Sequence, residues 1–78
     1  MRAKQLKLIV TFHTTTAAMA MEKACAVAGI PGRLIPVPRE ITAGCGMSWK
    51  ADPKDRAALE AFVAENGITV AGWYELML

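Results

Sequence analysis

Two prolines in one short stretch limit what this chain can fold into more than any other feature. Pro36 and Pro38 fix φ and withhold amide donors, so the backbone leaves regular pairing within residues 35–46, IPVPREITAGCG. A strand that runs into them belongs at a sheet edge. Past the prolines come an Arg39-Glu40 pair and Cys45, held between Gly44 and Gly46. The glycines free the backbone and strip side-chain cover from the sulfur. Such a stretch is either an ordinary glycine turn or the presentation of an exposed thiol.

The segments on either side are strongly patterned. Leu6, Leu8, Val10 and Phe12 alternate with Lys7, Ile9 and Thr11, which is the period of a strand with one well-buried face. His13 follows, then Thr14, Thr15 and Thr16, any of which can cap a helix through its hydroxyl. That helix is expected to run to about Ala28, with Ala17, Met21, Ala24, Cys25 and Ala28 as its apolar stripe and Gly29 just past its end. The segment RLIPV reads as a short edge strand, and Met47 to Ala51 as a third strand carrying Trp49. Asp52-Pro53 reads as an N-cap with proline at the first helical position, its carboxylate and that of Asp55 suiting the positive end of the dipole. Leu59, Phe62 and Val63 give this second helix a core face, Asn66-Gly67 ends it, and a last strand spans 68–78, bent at Gly72.

The order β-α-β-β-α-β with short connections predicts an α+β fold, a ferredoxin-like sandwich. Its four-stranded antiparallel sheet would carry both helices on one face. Residues 1–78 make a single domain, close to the lower size limit for folding without staples. The other sheet face is expected to show Ile9 together with Trp49 or Trp73. That pattern fits either a homodimer built on the open face or scattered surface hydrophobes.

Composition narrows the chemistry. The nine basic residues are spread along the chain and the net charge is +2, so no nucleic-acid partner is expected. The apolar runs are too short for a membrane span. The opening MRAKQLKLIVTF has a basic start like a signal peptide, but its apolar run is short and broken by Lys7 and Thr11. It reads as the first strand of a cytoplasmic protein. Two cysteines form no C-x-x-C motif, and one histidine is too few for a four-ligand zinc site, so neither metal nor cofactor is expected. No nucleophile–base–orienter set with recognisable spacing argues for a stand-alone enzyme.

In the expected topology, the turn after the first strand, the 36–46 loop and the turn after the second helix share one end of the sheet. His13, Thr14, Thr15 and the first amides of the helix, at 15–17, would then lie on the same rim as Cys45 and Arg39. A thiolate is stabilised by a helix N-terminus, by arginine or by protonated histidine. Read against this, Cys25 is a small hydrophobe on an apolar stripe, the threonines are a helix cap, and Arg39-Glu40 is a solvated pair.

The strand ending in Phe12 with threonines behind it, the segment AMEKACAVAGIPG, the run RLIPVPREITAGCG and the closing strand at 73–78 together resemble a family of small bacterial selenium/sulfur carrier-like proteins. The resemblance covers nearly the whole chain, and the run at 33–46 is its most specific part. It implies a ferredoxin-like or closely related domain with Cys45, of the C-G pair, as the carrier residue. It also implies donor and acceptor proteins of sulfur or selenium as partners. Relatives are similar to, and sometimes joined with, sulfur-relay domains of the TusA-like type. Those carriers place a Cys-Pro pair at the start of the first helix, where this chain has His13-Thr14-Thr15-Thr16 and no cysteine. The alternative from another class is a non-catalytic protein-interaction or small-ligand-sensing domain, with the proline-rich loop as recognition surface and Cys45 a bystander.

Overall fold

Strand β1 (Leu6–Thr11) is the element on which the others are laid. It sits inside a four-stranded sheet of order β2-β3-β1-β4, antiparallel at every pairing. The remaining elements are α1 (Thr15–Ala28), β2 (Arg33–Pro36), β3 (Met47–Ala51), a 3-10 turn at Pro53–Asp55, α2 (Arg56–Glu65) and β4 (Gly72–Met77). The structure is a computed structural model that describes residues 4–41 and 45–78, and Gly44 lies outside the described residues.

Register decides which side chains meet. Leu8 stands opposite Ala51 and Glu75, and Val10 opposite Trp49 and Trp73. Leu8, Val10 and Phe12 point to the side where the helices pack, so one core joins them to Ala18, Met21 and Cys25 of α1 and to Leu59 and Val63 of α2. Both helices therefore cover the same face. Trp49 and Trp73 both belong to this side, so neither lies on the opposite face, where one or the other was expected. The reason is parity: Trp49 is the register partner of Val10, and partners in a ladder share a face.

The opposite face carries Lys7, Ile9 and Thr11 of β1, flanked by Ser48 and Lys50 on one side and by Tyr74 and Leu76 on the other. Ile9 is on this face as expected, yet it is 0 % exposed, as are Thr11 and Ser48. The loop residue Ile41 is 7 % exposed and, like Ile9, lies outside the helix-side core. The Ser48 hydroxyl donates to Ile35 O at 3.4 Å, and that of Thr11 to Gly72 O at 3.5 Å. The middle of this face is thus covered, where the sequence reading expected an open apolar surface.

The helix ends follow their local chemistry with two departures. The Thr14 hydroxyl caps α1 by accepting from the Ala17 N–H at 3.1 Å, and Gly29 closes the helix at φ 71°. The buried stripe of α1 is Ala18, Met21 and Cys25, with Ala17 and Ala24 half-buried, whereas Ala28, the last residue of the helix, is exposed. At the second helix Asp52 holds the N-cap position of the 3-10 turn, with Pro53 next as expected, but its side chain makes no cap bond. Its carboxylate takes a hydrogen bond from Lys7 Nζ at 2.9 Å, and the chain passes through the 3-10 turn before α2 begins at Arg56. Arg56 in turn pairs with Glu60 at 3.1 Å and Glu75 at 3.5 Å and lies 5.9 Å from the Trp73 ring, tying α2 to β4. The last strand starts at Gly72, later than expected, since Ile68 and Val70 pack into the helix-side core before the ladder opens with Ala71 N–H to Thr11 O at 2.8 Å.

The Lys7 contact holds the Asp52 carboxyl below its ordinary 3.8, with nearby Lys54 adding to the effect. A carboxylate with a depressed folded value stabilises the fold above about pH 4 and loses that contribution as pH falls through the lowered value. Urea titrations between pH 5 and pH 2 should accordingly show a smaller acid-side loss in Asp52→Asn than in the parent. Equal slopes would mean that the Lys7 contact does not persist in solution.

Candidate functional site at the loop cysteine

The loop between β2 and β3 is closed at its base and folded at its tip. Val37 N–H donates to Gly46 O at 3.0 Å, and Ile41 N–H to Pro38 O at 2.9 Å. Pro36 ends the edge strand, where its missing donor breaks no ladder. Pro38 opens the tight turn whose exposed tip is Arg39-Glu40. Gly46 sits at φ 98°, a conformation that disfavours any side chain, and so lets the loop turn into β3.

Between these points Cys45 is tied to the strand–helix junction. Its N–H donates to Phe12 O at 3.0 Å, one residue before His13 and two before the Thr14 cap. The sulfur is free and half-buried, packs against the helix-side core and lies 3.9 Å from Met47 O, a weak thiol contact. It is less bare than flanking glycines alone suggested. The backbone contact brings Cys45 and the His13–Thr14 corner together. His13, Thr14 and Thr15 are all exposed on this corner. Of the first-turn amides, that of Ala17 is used by Thr14, so Thr15 and Thr16 hold the ones with no partner inside the helix. Arg39 stands at the turn tip without an ion pair or hydrogen bond among the described residues.

Beside this corner a groove of about 400 Å³ runs between the start of α1 and the α2–β4 turn, lined by His13, Thr14, Ala17, Asn66, Ile68 and Thr69 among others. The three connections expected on one rim thus meet there, two across the groove and the third through the Cys45 N–H. What the sequence reading missed is the anchor, the main-chain carbonyl of Phe12, which carries no side-chain signal.

The second cysteine is different in kind. Cys25 is fully buried in α1, and burial pushes its thiol above the ordinary 9.0. Under native conditions iodoacetamide should therefore modify Cys45 well before Cys25, read by peptide mass spectrometry. Equal labelling would contradict the packing of α1. Because the folded value is raised, the fold should also lose stability as pH rises from about 9 through it.

Among the described residues, no group of three or more histidine, cysteine or acidic side chains could hold a metal ion, and no helix is long and apolar enough to cross a membrane. The domain is of the α+β class and holds a free, half-buried cysteine at a strand–helix corner. Residues 7–75 match the family described as "Putative Se/S carrier protein-like", and the chain belongs to that family. No curated protein and no solved structure matches it.

Proposed function

We propose that this protein carries sulfur or selenium on Cys45. The observation that carries the reading is the pinning of Cys45, a free thiol, by its own N–H to Phe12 O beside the start of α1. TusA-like carriers have their cysteine at the start of the first helix in sequence. Here the loop brings a cysteine to the neighbourhood of that position through space. The strand order and the two helices on one face support a ferredoxin-like sandwich as the scaffold.

Loading is a thiol exchange. The Cys45 thiolate attacks the outer sulfur of a donor protein's persulfide, the donor's S–S bond breaks, and the donor departs as a thiolate. The new S–S bond leaves the cargo on Cys45 with no net redox change. An acceptor thiolate then attacks the same outer atom and regenerates Cys45, and a selenium cargo follows the same balance. Amides of Thr15 and Thr16 supply the helix-end field that favours an anionic sulfur. His13 and Arg39 are hydrogen-bond donors available on the same end, and Gly46, with open space where a side chain would stand, leaves room for a partner's thiol. Pro36 and Pro38 stiffen the loop. Such a carrier works in the cytoplasm, where thiols stay reduced, between donor and acceptor proteins, and needs neither cofactor nor metal.

The test is incubation with a cysteine desulfurase and cysteine, followed by intact-mass measurement. The protein should gain one sulfur atom, located on Cys45 by peptide mapping. A chain that stays unmodified while an established carrier loads in parallel would sink the proposal. The groove beside His13 favours a second reading, a binding domain in which Cys45 takes no part. In that case Cys45→Ser would leave partner binding unchanged.

A further inference from the structure

The nine basic residues that look scattered along the chain are partly gathered by the fold. Lys7, Ile9 and Lys50 share the face of the sheet away from the helices, and Arg33 stands directly opposite Lys50 across the β2–β3 ladder. Lys7 is at the start of β1, Arg33 at the start of β2 and Lys50 near the end of β3, so all three lie at the end of the sheet away from Cys45. They line one pocket of about 240 Å³ with Pro31, Gly32 and Asp52.

The charges in this pocket do not balance. Asp52 answers Lys7 at 2.9 Å and also feels Lys54, but Arg33 and Lys50 have no carboxylate partner among the described residues. Like charges directly opposite in a ladder destabilise a sheet. An anion between them would remove that cost, and a guanidinium with two ammonium groups is a donor set matched to a phosphate-type oxyanion. Gly32, at φ 132°, abuts the indole nitrogen of Trp49, whose N–H has no partner among the described residues although the ring is 3 % exposed. The volume lies below the roughly 300–1,000 Å³ of pockets for drug-sized ligands. No aromatic ring is among the lining residues to stack a nucleobase. We propose that Arg33, Lys50 and Lys7 form a binding site for a small phosphate-type oxyanion, free or as a phosphate monoester, at the end of the sheet opposite Cys45.

The experiment is a thermal-melt and amide-NMR titration with inorganic phosphate, against chloride at matched ionic strength. With phosphate at about tenfold excess over its Kd, Tm should rise by about 5 °C or more. The amides of Gly32, Arg33 and Lys50 should shift, and that of Cys45 should not. Arg33→Gln with Lys50→Gln keeps the aliphatic stems but should bind phosphate at least about tenfold more weakly. A parallel titration with glycerol phosphate separates the sources: tighter binding than inorganic phosphate assigns a monoester, weaker binding assigns the free anion. Three results overturn the site: chloride matching phosphate, the double variant responding like the parent, or an oligonucleotide binding where phosphate does not. Cys45→Ser should respond as the parent does, so this site and the carrier reading stand or fall separately.

Discussion

Cys45→Ser is expected to abolish sulfur loading altogether while leaving the fold intact. Loading requires a nucleophilic sulfur, and a serine hydroxyl forms no persulfide. The substitution keeps the backbone N–H that meets Phe12 O, and among the described residues the thiol's one hydrogen bond is a weak contact of 3.9 Å to Met47 O. Melting temperature and amide spectrum should therefore stay close to those of the parent. Cys25→Ala is the informative companion. Cys25 is buried in α1 on the helix side of the sheet, so its loss should weaken the fold yet leave loading on Cys45 unchanged. Loading that survives in Cys45→Ser and disappears in Cys25→Ala would reverse the assignment.

The largest effect on stability should come from Gly32→Ala. A Cβ at this position would collide with the Trp49 indole nitrogen and come within 2.6 Å of a ring carbon and 2.8 Å of Lys50 O, at a φ of 132° that L residues rarely adopt. Neither neighbour can yield easily, because the ring is in the core and the carbonyl is on a central strand. Strain of backbone and overpacking together should cost about 3 kcal/mol or more. For a domain of this size that is a fall in Tm of more than about 12 °C. Gly29→Ala provides the contrast. Its φ is 71°, but an added Cβ meets nothing within 4 Å, so about 1 kcal/mol is expected. Comparable losses in urea melts of the two variants would show that the Gly32–Trp49 packing is not as described.

The difference between these two glycines shows how far the sequence could be read. Gly29 was recognisable because helix ends have a local signature, as do the Thr14 cap, the edge position of β2 and the bounds of β3. Gly32 follows Pro31, and that pair signals only a turn. Its constraint comes from Trp49, which reaches it through the sheet, and no local pattern encodes that meeting. Asp52 was legible in part: it takes the N-cap position ahead of Pro53, but its side chain is drawn away from the cap. Its placement before Pro53 is a sound cap signal, but Lys7 competes for the carboxylate from a distant strand. Which tryptophan, if either, would reach the outer face was not legible, because parity within a strand can be read whereas the register between strands cannot. At the candidate site, Cys45 and the threonine corner could be associated from topology alone. The carbonyl that joins them could not, nor could the gathering of Lys7, Arg33 and Lys50.

Strand β1 has a consequence for how the chain reaches its fold. It is the most apolar strand and the first made, yet β3 and β4 pair with it only from residues 48 and 72 onward. The ladder with β4 extends to paired bonds between Gln5 and Leu78, each 2.9 Å. These are contacts of very high sequence separation for so short a chain, and such contacts slow folding. While the ribosome is still adding the second helix, Leu8, Ile9, Val10 and Phe12 have one flank of β1 unsatisfied and open to other nascent chains. Release of the last strand is thus the committing event, and ribosome-bound chains arrested before residue 72 should be the ones that aggregate or recruit chaperones.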